Sequence, residues 1–174
     1  LNFAELKNLR LDELASICAT TTELTSRLGI VWSSFEDDGL GECMEAVLKS
    51  VGGSYFGVLH HPQSPRRELL TLCVSPERPD YHIDEALIAL GLGSSDLRWI
   101  EPTITMQAHS LFREDDNGVR FHIADFPCRA DAHLESEKLS FYAHKQAYFV
   151  EPSETAKIGL LFDSDALHAP VPVI

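Results

Sequence analysis

The stretch FREDDNGVRFHIADF, residues 112–126, decides how this chain is read. It sets three acids, Glu114, Asp115 and Asp116, between two runs that alternate apolar and polar residues. A reactive or metal-binding carboxylate cluster here would make the chain an enzyme or a metal protein. The flanking runs have the period of strands, and Asn117-Gly118 is the composition of a bend that needs positive φ. A calcium loop starting at Asp115 requires oxygen ligands at positions 1, 3, 5 and 12, and its fifth position is Val119. A general acid–base pair requires burial to separate its two pKa values, and a hairpin tip does not provide it. The stretch reads as a hairpin with its acids turned to water.

Working outward, strand and helix periods alternate. VRFHIADF (119–126) is followed by PCRADAHLESEKL (127–139), a helix with Pro127 in its first turn and Cys128, Ala132 and Leu139 on one side. KQAYFVEP (145–152) is the next strand, and TITMQAHSLF (103–112) is the strand before the hairpin. A strand candidate at Ile158–Phe162 lies in the proline-spaced C-terminal stretch. Upstream, DYHIDEALIALG (80–91) is the clearest helix, with Ile83, Ala86, Leu87 and Leu90 at i, i+3, i+4 and i+7, Asp80 as cap and Gly91 as stop.

CMEAVLKSV, SYFGVLHH and ELLTLCV (43–51, 54–61 and 68–74) form an antiparallel meander around Gly52-Gly53 and a proline-containing loop. TTTELTSRLG (20–29) is a short helix with a Thr cap, Leu24 and Leu28 four apart and Gly29 closing it. IVWSSF (30–35), LRWIEP (97–102) and, more weakly, LRLDELASICA (9–19) have strand composition, with a helix over the first residues. The fold class is α+β: two small modules of antiparallel sheet with packed helices, residues 1–102 and 103–174, dividing near Pro102.

Charge narrows function. The 174 residues carry 27 acids against 14 Lys and Arg, a net charge of −13, divided almost evenly between residues 1–100 and 101–174. Such a surface repels nucleic acid phosphates and anionic lipid and attracts a basic protein. No apolar run is long enough for a transmembrane helix. The N-terminal stretch lacks a basic region followed by an apolar core, which points to a cytoplasmic protein. Cys18, Cys43, Cys73 and Cys128 contain no C-x-x-C pair and read as buried free thiols, with no disulfide or zinc framework.

A second acid cluster, FEDDGLGE with Glu36, Asp37, Asp38 and Glu42, also lacks calcium spacing and sits on a glycine-bounded turn. Among eight histidines, His60 and His61 are adjacent, which on a strand sends them to opposite faces; His109 and His122 fall on the same hairpin, and His133 and His144 lie nearby in sequence. No metal-protease spacing and no serine nucleophile elbow occur. A Cys128–His144 couple is the one nucleophile candidate, because a helix start lowers a thiol pKa, but the spacing of Cys128 favours core packing. No cofactor, metal or catalytic set is expected.

Two resemblances follow from these residues. VRFHIADFPCRADAHLESEKLSFYAHKQAYFVEP, residues 119–152, resembles half of a SPOR-type domain in the order strand, Phe126, short turn, helix opening on Arg129, Ala130 and Ala132, then strand. That resemblance implies peptidoglycan binding, although a second half and a secretion signal are lacking. The chain is also similar in kind, not in motif, to immunity proteins of bacterial contact-dependent growth inhibition and related toxin systems. That likeness implies a non-enzymatic inhibitor of a basic, nuclease-like toxin domain, with Glu36, Asp37, Asp38, Glu42, Glu114, Asp115 and Asp116 as the contact acids.

Overall fold

A computed structural model describes residues 9–142 and 146–153 of the chain. The expected strand at Ile158–Phe162 and His144 lie outside the described residues. The chain is α+β, and its described residues form three α-helices on two antiparallel sheets. The first sheet contains β1 (Asp12–Ile17), β2 (Ser33–Asp37), β3 (Gly41–Lys49), β4 (Tyr55–His60), β5 (Leu70–Val74) and β6 (Leu97–Ile100), in the order β2-β3-β4-β5-β1-β6. The meander of 43–74 is there, extended by β2 at its edge. β1 is inserted between β5 and β6, so the sheet closes through pairings distant in sequence.

One residue row shows how the register builds the core. Ala46 faces Val58, Val58 faces Leu72, Leu72 faces Ala15, and Ala15 faces Ile100. All five are buried. Alternation then sends Cys43, Glu45, Leu59 and Thr71 to the opposite face.

Helix α1 (Thr21–Leu28) begins with a capping box: the Glu23 amide donates to Thr20 Oγ1 at 3.1 Å and the Thr20 amide donates to Glu23 Oε2 at 3.2 Å. It ends at Gly29, whose φ of 67° suits a residue without Cβ. Only Leu24 of the expected Leu24/Leu28 stripe is buried; Leu28 is exposed, because a two-turn helix presents one residue squarely to the core. Helix α2 (Pro79–Leu90) buries Ile83, Ala86, Leu87 and Leu90 as its period requires. Arg27 of α1 donates to the Leu90 carbonyl at the end of α2.

Three expectations need correction. Asp80 does not cap α2: Arg78 is the cap residue, in the left-handed region at φ 59° with no side-chain bond, and Pro79 takes the first helical position, where its missing N–H costs nothing. The strand expected over 30–35 runs from Ser33 to Asp37, because only those residues face β3; Ile30 enters the core instead. The strand expected over 103–112 starts only at His109, since residues before it have no partner strand, while Met106 and Ala108 are buried as the chain crosses between sheets.

The second sheet consists of β7 (His109–Glu114), β8 (Arg120–Phe126) and β9 (Ala147–Pro152) in the order β8-β7-β9. Helix α3 (Arg129–Tyr142) connects β8 to β9. Cys128, Ala130 and Met106 belong to the same buried cluster as Leu72, Ile83 and Leu87, so the start of α3 and the segment leading into β7 pack into the core of the first sheet.

Candidate functional site

The acid clusters occupy tight, well-made turns. At the β2–β3 turn, Asp37 Oδ1 accepts from the amides of Gly39 and Leu40, each at 2.9 Å, which fixes the bend. At the β7–β8 turn, Asp115 Oδ1 accepts from the amides of Asn117 at 2.9 Å and Val119 at 3.0 Å, and Gly118 takes φ 75°. The positive φ falls on Gly118 alone and not on Asn117. Asp115 therefore turns back onto its own hairpin instead of projecting into water, and Asp116 is the exposed tip. Glu114 lies 3.9 Å from Arg120 across the hairpin.

Among the described residues Glu36, Asp38 and Glu42 on the first hairpin and Asp116 on the second meet neither a cation nor a turn amide. Glu36 and Glu42 stand directly opposite each other on β2 and β3, both exposed. Like charges directly opposed across strands destabilise the pair. Next to this hairpin is a cleft of about 360 Å³ lined by Glu13, Asp37, Leu40, His61, Arg66 and Trp99, among others.

Cys43, Cys73 and Cys128 are buried as expected, but Cys18 is exposed, and the candidate nucleophile Cys128 is not activated. Cys128 is buried, and burial together with the charges of Asp84 and Asp131 pushes its thiol far up, so the start of α3 does not make it a thiolate. A couple absent from sequence reasoning does form: Cys43 Sγ lies 3.1 Å from His61 Nδ1. Their separation of 18 residues resolves only when β3 and β4 pair. Burial, Asp37 and Glu36 raise the Cys43 thiol as well, and it is fully buried, so the pair is a hydrogen bond within the sheet. His109 and His122 do not meet: His109 faces Phe126 and His122 faces Phe112, on opposite faces of the second sheet. Among the described residues no group of three or more His, Cys, Asp or Glu is placed to hold a metal ion.

Two of the three buried carboxylates among the described residues form a joint that was not legible in the sequence. Asp84 and Glu85, neighbours on α2, are 3% and 4% exposed. Asp84 Oδ1 accepts from the Ala130 amide at 2.9 Å and so caps α3 from another helix. Glu85 accepts from Arg129 Nη1 at 2.7 Å and from the Gly52 amide at 2.9 Å. A Cβ on Gly52 would run into the Glu85 carboxylate and Tyr81. Burial raises the Asp84 carboxyl to about 6 despite the bonds to its charged form. Burial acts on Glu85 in the same direction, but bonds from Ser50, Arg129 and Gly52 outweigh it and hold the carboxyl below its ordinary range. These residues join the β3–β4 turn, α2 and α3.

No protein-family model, curated protein or solved structure matches this chain. The site therefore defines a class and no family: an acidic α+β protein with a hairpin whose carboxylates are unpaired among the described residues, and a buried ionic joint. No helix among the described residues is long and apolar enough to cross a membrane.

Proposed function

We propose that this chain is a non-enzymatic inhibitor that binds and neutralises a basic protein domain, as immunity proteins of toxin systems do, through the β2–β3 hairpin. The observation that carries this reading is the opposed pair Glu36 and Glu42, with Asp38 beside it and no cation among the described residues in contact. The hairpin holds a repulsion that a cationic partner would relieve, so binding gains from the complex a term the free chain lacks. Asp37, bonded to the turn amides, supplies the rigidity that keeps the carboxylates in place.

The neighbouring cleft suits the same partner. Glu13 and Asp37 can hold the head of an Arg or Lys side chain while Leu40 and Trp99 cover its stem. Carboxylates presented in this way occupy the place of substrate phosphates in a nuclease.

The experiment co-expresses the chain with the basic domains encoded beside its gene and scores survival and nuclease activity. Rescue from one such domain, with a complex recovered from the purified components, is the expected result. If none is bound or neutralised, the proposal falls. Peptidoglycan co-sedimentation tests the SPOR-like resemblance in the same preparation.

A further inference from the structure

A second cavity, of about 270 Å³, lies between α2, the start of α3 and the β7–β9 edge of the second sheet. It is independent of the acid hairpin and has a different chemistry. Two guanidinium groups share one aromatic ring there: Arg78 Cζ is 4.9 Å and Arg129 Cζ 5.8 Å from the centre of Tyr81. Arg129 gives one N–H to Glu85, whereas Arg78 makes no ion pair among the described residues.

Arg78 is also held in a conformation that costs energy. It is one of two non-glycine residues at positive φ among the described residues, and no side chain caps the helix it opens. On the cavity's other wall His109 is 7% exposed. Its Nδ1 donates to the Gln107 carbonyl at 2.9 Å, which leaves Nε2 as an acceptor with no partner among the described residues. Asp80 and Asp84 also line the cavity, so carboxylates as well as guanidinium groups face its interior. A phosphate dianion would meet both acids, and a simple cation would meet both arginines. The volume lies below the range of about 300–1,000 Å³ typical of drug-sized ligands.

We propose that this cavity binds a small zwitterion of the α-amino-acid class, its carboxylate on Arg78 and Arg129 and its ammonium donating to His109 Nε2 and Asp80. The planar guanidinium fork matches a carboxylate, and Tyr81, Val150 and Pro152 supply apolar surface for a side chain. Asp84 takes no ammonium, because its carboxylate is committed to the start of α3.

The test is calorimetric and NMR titration of the whole chain with each of the free amino acids. For the tightest binder, the methyl ester lacks the carboxylate and the N-acetyl form lacks the ammonium. Saturable binding of a free amino acid is expected, weakened at least about tenfold in each blocked analogue. Arg78→Gly, which removes the guanidinium and relieves the positive φ, should lower affinity at least about tenfold without lowering Tm. His109→Gln checks the opposite wall and should weaken binding of the free acid more than of its N-acetyl form. Absence of saturable binding by any amino acid, equal binding of the blocked analogues, or wild-type affinity in Arg78→Gly overturns the proposal. None of these outcomes bears on the hairpin.

Discussion

Replacing Glu85 by Gln should be among the most damaging isosteric changes in the molecule. The side chain is buried, and its two oxygens face N–H donors, Arg129 Nη1 and the Gly52 amide. Gln keeps one acceptor and turns an N–H₂ group toward the other donor, so one charge-assisted bond is lost and one donor is left unmatched. A hydrogen bond to a charged group contributes about 1.5–3 kcal/mol, and an unsatisfied buried donor costs about 1–3 kcal/mol. Arg129 is 34% exposed, so water takes over part of its loss and the upper ends of both ranges do not apply. The net cost expected is about 2–3 kcal/mol, or a fall in Tm of roughly 4–12 °C for a chain of this size. Urea unfolding followed by circular dichroism, with unchanged slope, measures it. A change below about 0.5 kcal/mol would show that the joint between α2, α3 and the β3–β4 turn does not depend on this carboxylate.

Two further predictions rest on the same charges. Glu36→Gln with Glu42→Gln should raise stability by about 0.2–1 kcal/mol in the free chain, since it removes an opposed like-charge pair; a loss of stability in urea unfolding would mean the pair is not repulsive there. Asp84 gives a pH test: its folded-state carboxyl, raised by burial to about 6 from 3.8, takes up protons that the unfolded chain has already released. Stability from this group is therefore present below the unfolded value and lost as pH rises from about 4 to 6, by about 3 kcal/mol at most. Glu85, held low, and His109, pushed low chiefly by burial, have the opposite sign and lose stability on acidification. Asp84→Asn should abolish the Asp84 slope, so the stability of wild type relative to the variant should fall across that window; a constant difference refutes the assignment.

Local pattern carried the elements, and distant partners carried what it missed. The stripe Ile83, Ala86, Leu87 and Leu90 was legible because one helix face meets one sheet. The 112–126 hairpin was legible because its turn residues dictate a bend, although the return of Asp115 onto its own amides was not. β1 gave no sign of its place between β5 and β6, since its pairing row is assembled from strands more than fifty residues away. Asp84 and Glu85 do not belong to the apolar stripe of α2 and were not singled out in the sequence. They are buried because residues 50–52 and 129–130 bring them donors, and no window around position 84 contains those donors. Arg129, noticed first for a helix-opening pattern, serves as the cation of that joint.

The central claim is that the unpaired carboxylates of the β2–β3 hairpin bind a basic partner. Its most direct measurement is the Kd of the rescued basic domain for wild type and for a Glu36→Gln, Asp38→Asn, Glu42→Gln variant, at low salt and at about 0.15 M. Asp37 stays in place because it builds the turn. A loss of at least about tenfold, roughly 1.4 kcal/mol, is expected at both salt concentrations, with no loss of Tm. Equal affinity of variant and wild type at about 0.15 M salt would contradict it and leave these acids with solubility as their role.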